Sequence, residues 1–371
     1  MYVYCYSCIN IHILMCKTTY DEVKSDYHDQ VTKVNQVVTD YQKEYQAYLA
    51  KVAASGKDVV SSSQVVQQLT IQSEPQANLA ISDIKGTLLK NERKDSFSFN
   101  KVDKMGGGYE LRFGGDSSFT ATYSNLKNVT YQGRKINKIT VNMTIFKNSN
   151  DDFVLNIIDN PYYGWQFFNG YMSANYKFYY EDGSQVNFEK GTAYLAPASL
   201  NNYMNVKNIF SIETVEVVSG GQALGLYGSS VTAHGNKLYA DKANSYDANG
   251  KSVAVTEWGP VSSDNVTSNA KEITNSNIPN DWDTVNSNYR YYGAGLIALS
   301  GNEATFKIYI QNNLAPANLP KGNEYTDGWR NMWYNVGTVI PETPGIPNKP
   351  TVSYNYSTVA ANRLISRKTS R

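Results

Sequence analysis

The sequence predicts a mainly β protein, an antiparallel β-sandwich with one long helix before it and an extended proline-rich segment after it. Three observations carry this. Between about Val66 and Val339 apolar and polar residues alternate: Ile139, Val141, Met143 and Ile145 interleave with Thr140, Asn142 and Thr144, and Ala304, Phe306, Ile308 and Ile310 with Thr305, Lys307 and Tyr309. Period two is the mark of strands with one buried face. Turn dipeptides punctuate the pattern at Gln132-Gly133, Asp182-Gly183 and Asn249-Gly250, where a hairpin needs residues that tolerate positive φ. No long helical pattern interrupts this region, so the strands must bury their apolar faces against one another.

The elements follow in chain order. Residues 1–17 read as an irregular end, because they carry no basic n-region and no small-residue cleavage site. Residues 18–56 read as a helical stalk segment. Tyr20, Val23, Tyr27, Val31, Val34, Val38, Tyr41, Tyr45, Tyr48 and Val52 step by three and four, which is a heptad seam that wants a partner. Gly56 stops the helix, and residues 57–340 form the β domain. Residues 341–371 hold Pro341, Pro344, Pro347 and Pro350 and then a basic tail; a proline at every third position suits a polyproline II rod or a plain linker.

Composition removes several classes of function. Net charge is +1, and without the four basic residues of the tail and Lys17 it falls to −4 for residues 18–362. Nucleic-acid binding, which needs a phosphate-neutralising surface, is therefore not expected. No stretch approaches the roughly 20 apolar residues of a membrane span. All three cysteines lie in the first sixteen positions, and only His234 lies beyond residue 28. Histidine relays and multi-histidine zinc sites have almost nothing to be built from. What remains is carboxylate, amide, hydroxyl and aromatic chemistry, which suits hard cations, carboxylate-pair catalysis or sugars.

Two short motifs match only in letters. Gly293-Ala294-Gly295-Leu296-Ile297-Ala298 fits a dinucleotide fingerprint but leads into a strand, where the fingerprint opens a helix. Asp247-Ala248-Asn249-Gly250 is half an EF-hand loop without flanking helices, and a hairpin turn explains it.

Three segments combine aromatics with amides and carboxylates: Asp159-Asn160-Pro161-Tyr162-Tyr163-Gly164-Trp165, Asn201-Asn202-Tyr203, and Asn280-Asp281-Trp282-Asp283 leading to Tyr289-Arg290-Tyr291-Tyr292-Gly293. A sugar ring stacks its C–H face on Trp or Tyr and offers hydroxyls to planar amides and carboxylates. The candidate carbohydrate-binding residues are Asn160, Tyr163, Trp165, Asn201, Asn202, Trp282 and Tyr291, with Trp258 competing as the second tryptophan. The plainer reading makes Trp165 and Trp282 packing residues whose N–H groups find backbone partners. Asp159, Asp281 and Asp283 are candidate metal ligands, since calcium takes six to eight oxygens. No pair of carboxylates stands out as a glycosidase pair.

Tyr123-Ser-Asn-Leu-Lys-Asn-Val-Thr-Tyr131-Gln-Gly-Arg-Lys135, Asp159-Asn160-Pro161, Val231-Thr-Ala-His-Gly-Asn-Lys-Leu-Tyr239, and Trp282-Asp283 leading to Tyr291-Tyr-Gly-Ala-Gly-Leu-Ile297 together resemble the glucan-binding protein C family and the variable domain of streptococcal antigen I/II adhesins. The resemblance covers roughly Val66 to Val339. It implies a β-supersandwich displayed on a Gram-positive cell wall, a non-enzymatic lectin that binds dextran-type α-glucan with calcium and promotes aggregation and biofilm adhesion. It also implies an alternative, adhesion to a host salivary glycoprotein. A secretion signal and a sortase-type ending are not visible in the chain.

Overall fold

The structure is a computed structural model and describes residues 6–98, 105–148, 150–204, 210–241, 244, 255–256, 259–260, 282, 288–311, 331–335 and 337–353. Its one long helix spans Tyr6–Ser55, 50 residues, and so begins inside the stretch read as an irregular end. The segment contains neither proline nor glycine, so nothing in it opposes propagation once a turn has formed. Residues up to Lys51 form one compact unit with the chain from Gly345 onward. Within that unit the expected seam is visible. Val31, Val34, Val38, Tyr41 and Tyr45 are half-buried and Tyr48 is buried, whereas Tyr20 and Tyr27 stay exposed. Tyr41, Tyr45 and Tyr48 stack in series at 5.9 and 6.4 Å between ring centroids, the contact that spacings of four and three allow. The proline-rich stretch is not one unbroken rod, because a turn falls at Pro344–Gly345 with Gly345 at φ +75°.

The second unit, Val52–Pro344, is the β domain. Eight strands make the spine of its largest sheet in the order Val231–His234, Lys237–Ala240, Phe210–Ser219, Glu303–Gln311, Gly170–Tyr180, Arg134–Lys147, Ser117–Ser124 and Asn78–Lys85, and three short strands branch from it. A five-stranded sheet runs in the order Asn331–Tyr334, Trp165–Phe168, Phe153–Ile158, Gly108–Phe113 and Leu88–Lys94. A four-stranded sheet holds Val59–Val60, Gly221–Leu226, Gly295–Leu299 and Tyr194–Leu195. Every pairing in the two larger sheets is antiparallel. The alternation read from the sequence is the burial pattern observed. Along Arg134–Lys147, Ile139, Val141, Met143 and Ile145 are buried while Asn142 and Thr144 are exposed.

One core lies between the two larger sheets. Phe113 stacks on Phe119 at 5.9 Å, and Phe153 on Phe167 at 5.9 Å. Leu111, Leu155 and Ile157 of the five-stranded sheet share a cluster with Val141, Met172, Phe178, Phe306 and Ile308 of the larger one. This is sheet-on-sheet packing, in which inner faces interdigitate and outer faces meet water. Among the described residues no helix is long and apolar enough to cross a membrane.

Candidate functional site

The predicted site residues fall in two groups. The first sits where Phe153–Ile158 turns into Trp165–Phe168. Asn160 makes the turn: its Oδ1 accepts from the Tyr162 N–H at 3.1 Å, and its C=O accepts from the Tyr163 N–H at 3.1 Å. The same Oδ1 accepts from the Glu74 N–H at 2.9 Å, and Nδ2 donates to Ser73 Oγ at 2.9 Å. Asn160 is buried, and the two hydrogen bonds of its side chain to Ser73 and Glu74 fasten the loop to a segment 86 and 87 residues earlier, while the other two close the turn. Gly164 closes the turn at φ +69°, and a Cβ there would meet the Tyr334 carbonyl oxygen at 2.0 Å. Only glycine fits that approach.

Trp165 follows and is 2% exposed. Its indole packs edge-on against Tyr176 at 5.9 Å and tilted against Tyr334 at 5.9 Å. The Trp165 Nε1–H and the hydroxyls of Tyr176 and Tyr334 are buried and make no hydrogen bond to the protein. Burial pushes the Tyr123, Tyr176 and Tyr334 phenols well above their ordinary range, so all three stay neutral. A cavity lined by Trp165, Tyr123, Tyr176, Phe178 and Pro161, among others, leaves about 10 Å³ for the centre of a water-sized molecule. That is the scale of one water, not of a sugar ring. As placed, the Trp165 ring faces are used by the core.

The aromatics left half-buried at this loop are Tyr162, Tyr163 and Trp333. Tyr162 and Tyr163 meet edge to face at 5.4 Å, and Trp333 Nε1 donates to the Tyr163 carbonyl at 2.6 Å. Tyr163 and Trp333 rest on Phe97, Met105 and Ile158, so their inner edges are fixed while part of each ring meets solvent. Trp333 lies 170 residues from Tyr163, and no local pattern links the two.

The second group is joined through Asn244, which the sequence reading missed. Asn244 Oδ1 accepts from the Asn202 N–H at 2.8 Å, and its Nδ2 donates to the Leu200 carbonyl at 3.0 Å and Ser230 Oγ at 2.9 Å. Its own carbonyl accepts from Trp282 Nε1 at 2.9 Å. Asn202 Nδ2 donates to the Ala240 carbonyl at 2.7 Å, and Asn201 donates from its backbone and side chain to Glu213 Oε2 at 2.9 and 3.2 Å. Trp282 meets Tyr292 edge to face at 5.7 Å and clusters with Tyr291. Asn201, Asn202, Trp282 and Tyr291 are all buried. Tyr289, 6.3 Å from Tyr291 between centroids, is exposed.

Trp258, Asp281 and Asp283 lie outside the described residues. Asp159, the predicted metal ligand that is described, gives both carboxylate oxygens to the Arg93 guanidinium, with one contact at 2.6 Å. A cation there would have to displace a cation, so Asp159 in this pair does not fit a calcium site. Among the described residues no group of three His, Cys, Asp or Glu side chains gathers around a metal position.

Residues 52–337 match the family described as Glucan-binding protein C. Among solved structures, glucan binding protein C of Streptococcus mutans, described as mediating sucrose-independent and sucrose-dependent adherence, superposes with a TM-score of 0.53 at 21% identity, covering 91% of this chain and 99% of that one. The adhesin domain of PrgB from Enterococcus faecalis, solved bound to DNA, gives a TM-score of 0.50 at 18% identity, covering 76% of this chain and 98% of that one. At these identities the likeness is one of fold. DNA binding is a property of the enterococcal domain, and the expectation of no nucleic acid here rests on this chain's own charge.

Proposed function

We propose that this chain, which belongs to the glucan-binding protein C family, is a non-enzymatic surface adhesin that binds dextran-type α-glucan and promotes aggregation and biofilm adhesion. The observation that carries the reading is the coincidence of the family match, residues 52–337, with the compact β unit Val52–Pro344. Trp333, Tyr162 and Tyr163 are the stacking surface in this proposal, because all three are half-buried and Tyr163 and Trp333 are anchored on one apolar cluster. Trp165 and Trp282 act from behind, as the packing that holds the two loops. Calcium dependence enters the proposal through the resemblance alone.

Three carboxylates of the described residues are held below their ordinary range. A glycosidase acid needs a raised pKa. Glu92 is instead held down at about 2 by hydrogen bonds from Lys90 and Lys94. Burial of Glu110 is overcome by Lys90 and Arg112, and Ser184 lowers Asp182.

The test is retention of the full chain on a dextran matrix, with calcium and again with chelator, beside an assay for reducing-sugar release. Retention without sugar release is expected, and its loss on chelation would establish the calcium dependence. A folded chain that flows through in both conditions removes the glucan reading. Trp333→Ala is expected to weaken retention at least about tenfold, as for a stacking anchor. Unchanged retention in that variant would take Trp333 out of the site.

A further inference from the structure

We propose that the outer face of the largest sheet is a second contact surface for the same neutral glucan, running across the strands. The inference rests on the glucan reading above and adds a surface to it. The strand register aligns Ser82, Thr120, Asn142, Asn175 and Thr305 in one row over five neighbouring strands. Their side chains stand on the face opposite the core, with Ser82 and Asn142 exposed and the other three half-buried. The row spans four inter-strand steps of roughly 4.8 Å, about 19 Å in all, long enough to face several consecutive sugar rings.

Within the row, the Thr120 hydroxyl donates to Asn142 Oδ1 at 3.0 Å and Asn175 Nδ2 donates to Thr305 Oγ1 at 2.9 Å. Both amides are thereby oriented before any ligand arrives, which lowers the cost of ordering them on binding. An aromatic pair lies on the same face roughly 13 Å along the strands, beyond the neighbouring row of Thr144, Ser173 and Lys307. Phe146, on the same strand and face as Asn142, stacks on Tyr171 at 4.6 Å with planes 11° apart, and both are half-buried. A phenylalanine on an outer sheet face adds nothing to the core and offers a C–H stacking surface.

Charge decides the class of occupant. The row holds no charged residue; beside it Lys177 pairs with Glu303 at 3.0 Å, and Lys307 lies 5.2 Å from the Tyr171 ring centroid, so charges flank the row without lining it. An anionic polymer such as DNA gains its affinity from cations, and the row itself presents none. Oriented amides and hydroxyls, with a flat aromatic further along the same face, match an uncharged polyol.

The experiment compares Asn142→Lys and Asn142→Glu in the full chain, with dextran retention and binding to a DNA duplex measured for each. Position 142 is exposed, so melting is expected to stay within about 2 °C of the parent. For a neutral glucan both charges disturb the row alike, and each variant is expected to lose roughly five- to tenfold in dextran affinity, the worth of about one hydrogen bond. Phe146→Ala should weaken dextran retention in the same sense. Two results overturn the inference while leaving the glucan reading in place: dextran binding unchanged in both Asn142 variants, or loss in one charge variant with gain in the other. Parent chain that fails to bind dextran removes both.

Discussion

Trp165 and Trp282 are both almost completely buried, yet they are held in different ways. Trp165 begins a strand whose residues Trp165, Gln166 and Phe167 are all buried, and its indole is gripped by Tyr176 and Tyr334 while its N–H finds no protein partner. Trp282 stands in a loop network, with its N–H on the Asn244 carbonyl and its ring against Gly293. One tryptophan is held by apolar contact between sheets, the other by hydrogen bonds between loops. The comparison teaches that an aromatic in an amide-rich segment is equally at home as a support for a binding surface and as the surface itself.

Removing each support separates the two modes. Trp165→Ala should cost about 3–5 kcal/mol, since it empties a large volume in a core that closes only partly around it. Its loss of dextran retention should then track loss of folded protein in a denaturant titration. Full stability in this variant would break the contrast. Asn244→Ala should cost about 2–3 kcal/mol, because the Asn202 N–H and the Leu200 carbonyl lose buried partners. Tryptophan fluorescence should report a changed Trp282 environment. Gly293→Ala should cost about 1–3 kcal/mol by overpacking, because its Cβ would sit 1.9 Å from the Trp282 ring. Unchanged melting would show that the Trp282 loop moves freely, which would sharpen its difference from Trp165.

The smallest effect belongs to the edge strand Leu88–Lys94. The Glu92 carboxyl, lowered by Lys90 and Lys94 to about 2, contributes stability that is fully present above its unfolded value near 4.5 and lost as pH falls toward 2. The raised Lys90, held by Glu110 and Glu92, contributes below its unfolded value of 10.5 and loses that as pH rises past it. These groups are exposed and screened, so the contribution should be small and should fade with salt. Melting curves at low pH, with and without Glu92→Gln, check it: the variant should flatten the acid limb slightly.

Much of the fold was legible because its determinants are local. Alternation at Ile139–Ile145 and Ala304–Ile310 reports a buried face whatever lies opposite, and the heptad steps of Tyr41, Tyr45 and Tyr48 report a seam. The site was less legible. Asp159–Trp165 has the composition of a sugar-binding loop, but nothing inside that segment reveals that Asn160 is occupied by Ser73 and Glu74 or that Arg93 takes Asp159. Trp333 is not among the candidates read from the sequence, because its partner Tyr163 lies in a distant segment.

The sequence by itself determined the β class, the helix, the near-neutral charge and the family resemblance, since each depends on residue type, spacing or order along the chain. Only the tertiary structure decided which aromatics face inward, which amides are already spent, and that five polar side chains from five strands line up as one row. Those outcomes depend on strand register and on pairings between residues far apart in the chain, and neither leaves a periodic trace in either partner.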